Sequence, residues 1–415
     1  MKKSLFAIAA VTAFAGAAQA QSSVTVYGIL DMGYVGYNSR VANGPISTTP
    51  GAALSGTVNK TTGNAFSTSA ESTSRLGFKG TEDLGGGTSA FFTAEFQLYP
   101  QEDRLSGSST TQGGLINRQT FVGLKKNGIG QAAIGTQYTV VHQAVGATDP
   151  GQQNNVVGSI IYPAKANSAD TSTAAYTIRQ NNSVSFNSDK FAGFSVNALY
   201  SQKNTDQTQV GTNNQYTAAA VVTNAAATPP VLVGGTYNQN SWGIGANYTW
   251  NKLYVTAAYQ SLKNESNVSN VTVNTTSNTN DNGINVTDNQ TYAAATYDFG
   301  IVKAYVNWIN RKATSTLNSN AYAKRSGQQI GVRSFITPTI EAWGNLGNGR
   351  YTAYGAGEPT ANMNAWQLGS NYYLSKRTNL YAIYGKAQTS NVVSVAGING
   401  SASASQYAIG VRHTF

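Results

Sequence analysis

Polar and apolar residues alternate one for one over many short stretches of this chain, and no sustained helical period runs between them. The alternation predicts sixteen strands, over residues 24–37, 74–82, 89–98, 117–125, 131–138, 182–188, 194–202, 241–250, 253–262, 291–299, 302–312, 327–335, 339–346, 364–374, 379–387 and 406–415. In the last of these Tyr407, Ile409, Val411 and Phe415 fall on one face, and Ala408, Gly410, Arg412 and Thr414 on the other. The links alternate between two to six residues and roughly twelve to forty. Short turns at one end and long loops at the other match a membrane barrel, whereas a soluble sandwich has no reason to sort its loops by length.

Composition narrows the choice. Charged residues are 11% of the chain, against about a quarter in an ordinary soluble domain, while Gly numbers 43, Tyr 24 and Cys none. Mean hydropathy is negative, as expected when half of each strand faces lipid and half faces water. Residues 1–20 read as a cleaved secretory signal: Lys2 and Lys3, an apolar run over 5–15, then Ala18-Gln19-Ala20. Residues 21–415 then form one domain, an all-β, 16-stranded antiparallel transmembrane barrel with short periplasmic turns and long extracellular loops, in the outer membrane of a Gram-negative bacterium. Trp242, Trp250, Trp308, Trp366, Tyr248 and Tyr372 fall on the apolar faces, several near strand ends where an interfacial girdle would lie.

The opposite faces carry Asp31, Arg75, Lys79, Glu95, Asp298, Lys303, Arg311, Arg333, Glu341 and Arg412. A charge on the lipid face at mid-bilayer costs about 2 to 4 kcal/mol, so these groups meet water or one another and imply an aqueous channel. Arg75, Lys79, Arg118 and Arg179 are the candidate basic wall of a constriction, where cations that never titrate away would attract anions. Any one of them could equally serve a structural ion pair. Arg118 shares its alternation with Val122 and Leu124, so turning it inward requires a β-bulge. Residues 139–178 show no sustained alternation. They are the candidate constriction loop, with Asp149 and Asp170 the acids that would oppose the arginines, although composition alone fits an external loop as well.

Five motifs in order resemble the general porins of β-proteobacteria: Val24-Thr25-Val26-Tyr27-Gly28-Ile29-Leu30-Asp31, Ser74-Arg75-Leu76-Gly77-Phe78-Lys79-Gly80-Thr81-Glu82-Asp83-Leu84-Gly85, Arg118-Gln119-Thr120-Phe121-Val122-Gly123-Leu124, Leu374-Ser375-Lys376-Arg377-Thr378 and Gly410-Val411-Arg412-His413-Thr414-Phe415. The resemblance implies a homotrimer of 16-stranded barrels, an infolded third loop, and passive diffusion of small hydrophilic solutes and ions, often with anion preference. It implies eyelet arginines at Arg75, Arg118 and Arg179, and a terminal aromatic, Phe415, read by the barrel-assembly machinery. One departure is Thr136, where the family often has arginine, which weakens the expectation of strong selectivity. Lipid and lipopolysaccharide of the outer membrane are the expected surroundings.

The other classes find less support. Two histidines, His142 and His413, lack an evident Ser and Asp pair, and no His/Glu cluster has metal-ligand spacing, so neither catalysis nor a cofactor is expected. Basic residues lie singly along strands, not in a run, which argues against nucleic acid as a partner. A substrate-specific outer-membrane channel and, further off, a surface adhesin remain the alternatives to a general diffusion pore.

Overall fold

The computed structural model describes residues 23–45, 57–102, 105–106, 114–163, 174–210, 232–266, 285–353, 360–393 and 398–415. Its strands are β1 (Ser23–Pro45), β2 (Thr57–Thr68), β3 (Arg75–Gly85), β4 (Thr88–Gln97), β5 (Ile116–Lys126), β6 (Gly130–Tyr138), β7 (Arg179–Ser188), β8 (Phe194–Val210) and β9 (Leu232–Trp250). They continue with β10 (Leu253–Ser266), β11 (Val286–Asp298), β12 (Lys303–Ser315), β13 (Tyr322–Phe335), β14 (Ile340–Ala353), β15 (Thr360–Tyr373), β16 (Thr378–Val393) and β17 (Ile398–Thr414). A single helix, α1 (Val140–Thr148), lies between β6 and β7 among the described residues.

From β3 onward each strand pairs antiparallel with the next, and β17 returns to β1 from Ile29↔Thr414 to Pro45↔Ile398, which closes the sheet. Seventeen segments make sixteen staves because β2 and β3 share one: β1 pairs with β3 from Ser23 to Ile29 and with β2 from Met32 to Asn43. Asp31 holds that break. Its carboxylate, fully buried, accepts from the backbone amides of Glu71 and Ser72 at 2.9 and 2.6 Å and from the Tyr381 hydroxyl at 2.6 Å. At the seam Phe415 and Gly28 exchange backbone hydrogen bonds of 3.1 and 3.2 Å, so the terminal aromatic sits on the first strand.

The alternation is as the sequence predicts. Val122, Leu124, Ile134, Val184, Trp242, Ile244, Trp308, Ile330, Trp366 and Leu368 are exposed on the outside. Trp343 is the exception among the tryptophans: it is 5% exposed and turned inward with Tyr381, Ile383 and Val156. The abundance of Tyr and Gly has a local cause, since rings lie flat across neighbouring glycines, Tyr27 over Gly77 and Tyr381 over Gly33 and Gly410. A methyl at Gly410 would stand 2.4 Å from the Tyr381 oxygen.

Three expectations need correction. Residues 38–71, read as a loop, contain the upper part of β1 and all of β2. Residues 203–240 and 263–290, read as surface loops, begin and end as strand, and β9 runs for 19 residues. About 9 to 11 residues cross a bilayer, so these strands continue beyond it as hairpin walls in water. Where both faces are wet, the apolar half of the alternation disappears and the pattern goes silent. Third, 139–178 contains α1. Its apolar residues Val140, Val141, Ala144 and Val145 follow the helical spacing and Thr139 stands at the N-cap, a signal that the strand pattern obscured. The predicted signal segment, 1–20, lies outside the described residues.

Candidate pore constriction

The third loop enters the barrel because the wall on one side is built to receive it. Thr139 accepts from the His142 amide at 3.2 Å and starts α1. Val140, Val141, Ala144 and Val145 then pack on Leu199, Ala258, Tyr292, Ala294 and Ile309, inward side chains that would otherwise be polar. Beyond the helix the loop runs past a belt of wall amides. Gln260 accepts from the Val141 amide at 3.2 Å, Gln290 from Thr177 at 2.8 Å, Gln329 from Ile160 at 2.9 Å and Gln406 from Val157 at 3.0 Å. Asn307 donates to the Thr148 carbonyl at 3.0 Å, and Gln367 to that of Val156 at 2.8 Å. An irregular segment has backbone groups that no ladder satisfies, and these side chains satisfy them one strand at a time. A charge enters the same belt through Arg333, which binds the Glu341 carboxylate with two nitrogens and gives its third, at 2.6 Å, to the Pro150 carbonyl. At its turn Asn155 ties the loop to Ser69 and Ala70 in the break of the second stave.

The arginines stand on the strands that this belt leaves free. The ladder between β4 and β5 slips between Glu95 and Phe96, opposite Arg118, which supplies the bulge that turns Arg118 inward against the parity of Val122 and Leu124. Its Nε lies 2.8 Å from Glu95 Oε1 and its Nη2 donates to the Tyr138 hydroxyl at 2.9 Å. Arg75 Nη1 is 3.8 Å from the same Glu95 oxygen, while its Nε and Nη2 hold Thr73 O and Ser72 Oγ. Tyr27 donates to the second Glu95 oxygen at 3.2 Å. Arg179 pairs in the ladder with Tyr138, and the charges of Arg75 and Arg179 are both within reach of Arg118. Three guanidiniums and one carboxylate leave this cluster net positive.

His142 lies against it, its ring centroid 4.4 Å from that of Tyr138 and its Nδ1 3.1 Å from the Tyr176 hydroxyl. Burial, then the charges of Arg179, Arg118 and Arg75, hold this imidazole well below its ordinary value of 6.5. It is therefore neutral in the folded loop. An unfolded chain would protonate it, so its contribution to stability falls as pH drops below about 6.5. His142→Gln is expected to leave the zero-current potential unchanged between about pH 5.5 and 7.5; a histidine-dependent shift in that window would mean the imidazole carries charge in the pore.

Other expected site residues are placed differently. Asp149 is in the loop but faces its own backbone, closing α1 and accepting from the Gly151 and Gln153 amides at 3.3 and 2.7 Å. Burial pushes its carboxyl upward, and its oxygens are taken up by the amides of its own turn. Asp170 lies outside the described residues. Lys79 sits four residues, about 13 Å of strand, toward the short-turn end from Arg75, with its ammonium 5.4 Å from the Tyr27 ring. It stands apart from the cluster. Lys303 lies similarly over Tyr305 at 5.2 Å. Arg311 holds Asp288 at 2.7 Å, and Arg412 is 3.7 Å from Glu71. Thr136 hydrogen-bonds Asn181 at an exposed site, and the inward position beside it is Gln137. The amide belt escaped sequence reasoning. Its signal was available: Gln or Asn at inward parity on β10, β11, β12, β13, β15 and β17.

The comparisons with known proteins agree with this geometry. The profile of a Gram-negative porin family matches residues 7–392. An outer membrane porin protein of Bordetella pertussis is 30% identical over 288 residues, which is 62% of this chain and 69% of that protein. Outer membrane porin protein 32 of Delftia acidovorans is 32% identical over 203 residues, 48% of this chain and 49% of the relative. Among solved structures, an anion-selective porin from Comamonas acidovorans superposes with a TM-score of 0.59 at 21% identity, covering 95% of this chain and 100% of that one. With a closed barrel, a loop folded into its lumen and a family match over most of its length, this chain belongs to the Gram-negative porins and is an outer-membrane diffusion channel.

Proposed function

We propose that the pore passes small hydrophilic solutes and ions passively with a mild anion preference, and that Arg75, Arg118 and Arg179 set that preference. The observation that carries this reading is their convergence around the single carboxylate of Glu95, on the wall that the third loop leaves open. An anion entering that gap meets fixed positive charge in a narrow, poorly screened space. The placement of Asp149 supports the same sign, because its carboxylate is taken up by the Gly151 and Gln153 amides of its own turn. The anion-selective neighbour in Comamonas supports it by analogy of fold.

The reading extends to export by a signal removed after Ala20, folding by the barrel-assembly machinery through Phe415, and assembly as a homotrimer surrounded by phospholipid and lipopolysaccharide. It includes no catalytic step and no cofactor. Single-channel recording of detergent-purified protein in a planar bilayer tests it. Conductance steps in groups of three and an anion-side zero-current potential across a potassium chloride gradient are expected. A cation-side potential would refute the arginine cluster as the selectivity element. Saturable block by one solute would favour a substrate-specific channel.

A further inference from the structure

Beside the constriction the lumen wall holds a polar recess of about 110 Å³. Three parts of the chain meet there: Glu71 and Ser72 between β2 and β3, Gly151 and Gln152 in the turn after α1, and Trp343 and Arg412 on the wall. Arg412 lies two residues from the short-turn end of β17, and Asn379, which holds Glu71, one residue from that of β16, so the recess lies toward the short-turn mouth. Ser72 joins it to the eyelet, because its hydroxyl accepts from Arg75 Nη2 at 3.2 Å.

Its two charges are held apart where other pairs in the lumen are closed. Arg118 meets Glu95 at 2.8 Å and Arg311 meets Asp288 at 2.7 Å, but Arg412 Nη1 stands 3.7 Å from Glu71 Oε1, too far for a hydrogen bond. Arg412 Nε is buried with no hydrogen-bond partner. The other Glu71 oxygen accepts from Asn379 at 2.9 Å, which fixes the carboxylate and leaves Oε1 open. A guanidinium with unmade bonds and a carboxylate with a free oxygen therefore border one small space. The turn beside them is strained: Gln152 and Gln153 both have left-handed backbone, φ 53° and 58°, which residues other than glycine rarely adopt. Gln153 turns its side chain to His142 and Tyr176 inside the loop, whereas Gln152 is exposed at the recess.

We propose that this recess binds the zwitterionic head of a small neutral α-amino acid, its carboxylate on Arg412, its ammonium on Glu71 Oε1 and the Gln152 amide beside it. Both charges of such a head are carried on one carbon, so they reach two partners that stand side by side. A simple anion would gain Arg412 but face the Glu71 carboxylate, and a simple cation would gain Glu71 but face the guanidinium. A zwitterion supplies what each partner lacks, through charge-assisted hydrogen bonds at both ends. Trp343 gives the recess an apolar side for a short substituent, and the volume admits alanine or serine and not a long side chain. The proposal rests on the diffusion reading only for how the amino acid arrives, since the recess lies in the wall beside the arginines.

The test uses the full folded protein in a neutral detergent and alanine as the probe, with binding read from the broadening of its methyl signal in ligand-observed NMR. Serine is expected to displace alanine at equal concentration. Lactate, which lacks the ammonium, and alaninamide, which lacks the carboxylate, should each need at least about ten times more. Glu71→Gln should weaken alanine binding and lose the discrimination against lactate, and Arg412→Gln should weaken it and lose the discrimination against alaninamide. Displacement by lactate as readily as by serine would make the recess an anion site and overturn the proposal, as would alanine binding unchanged in both variants. If neither variant reaches the heat-modifiable folded form, Gln152→Ala decides the matter: a loss of about threefold supports the recess, and unchanged affinity overturns it. Conductance is recorded from the same preparations. A conducting pore that fails to discriminate among the three competitors refutes the recess alone, and selective alanine binding by a protein that does not conduct supports the recess and refutes the diffusion reading.

Discussion

Arg75→Glu is expected to move the zero-current potential toward the cation side while leaving conductance of the same order. Of the two arginines seen to contact Glu95 it is the more open, its side chain 19% exposed against 8% for Arg118, and it holds the acid at 3.8 Å instead of 2.8 Å. Reversal changes the local charge by two without removing the Arg118–Glu95 pair. A unit charge about 8 Å from a passing ion is worth about 2 kcal/mol at an effective dielectric constant of about 20, and about 1.4 kcal/mol is a factor of ten, so a change in permeability ratio of at least about tenfold is expected. Glu95→Gln should act in the opposite direction, because it leaves three guanidiniums without their acid. Measured in the same salt gradient, the two variants bracket the wild type. An unmoved potential in Arg75→Glu would remove that residue from the eyelet.

The second large effect concerns the loop. Arg333→Ala deletes a buried cation that binds Glu341 at 2.5 and 2.6 Å and the Pro150 carbonyl at 2.6 Å. Breaking a buried pair from one side costs about 3 to 5 kcal/mol, since the remaining charge stays buried. Glu341 would keep only Asn371 and Tyr373. The folded form should therefore convert to the slow-migrating form at a lower temperature on a gel. The turn after α1 should also loosen, giving larger and noisier open-channel current. Arg333→Met combined with Glu341→Met removes both charges and should recover much of the stability without restoring the hold on Pro150. Stability would return while the noise persisted. A quiet, unchanged channel in Arg333→Ala would mean that the amide belt alone suffices to position the loop.

The barrel could be read from the chain because lipid imposes a rule on every residue that touches it. Ile330 and Leu346 must be apolar, their neighbours on the strand must not be, and the repetition of that rule produces sixteen countable segments. The requirement for a bulge at Arg118 was legible for the same reason, since an arginine at the parity of Val122 and Leu124 violates it. Where the strands leave the bilayer, as in β2 and the far parts of β8 and β9, neither face has to be apolar and the boundaries vanish from the pattern.

The constriction was only half legible. Arginines on inward faces could be named one at a time, but that Arg118 and Arg75 share Glu95 depends on the register of β3, β4 and β5, which is a property of pairing and not of any strand. The same holds for Asp149, which in the chain is an acid in a loop and in the fold closes a helix. It holds for Gln260, Gln290, Gln329, Gln367 and Gln406, ordinary residues singly and a belt once closure brings their strands around one loop. Solvent preference is written residue by residue, so the chain alone determined the barrel, its membrane and its polar interior. Charge partnership and the path of the third loop depend on distances between residues far apart in the chain, as for Val157 and Gln406, 249 positions apart, or Asp31 and Tyr381, 350 apart, and only closure of the sheet sets those distances.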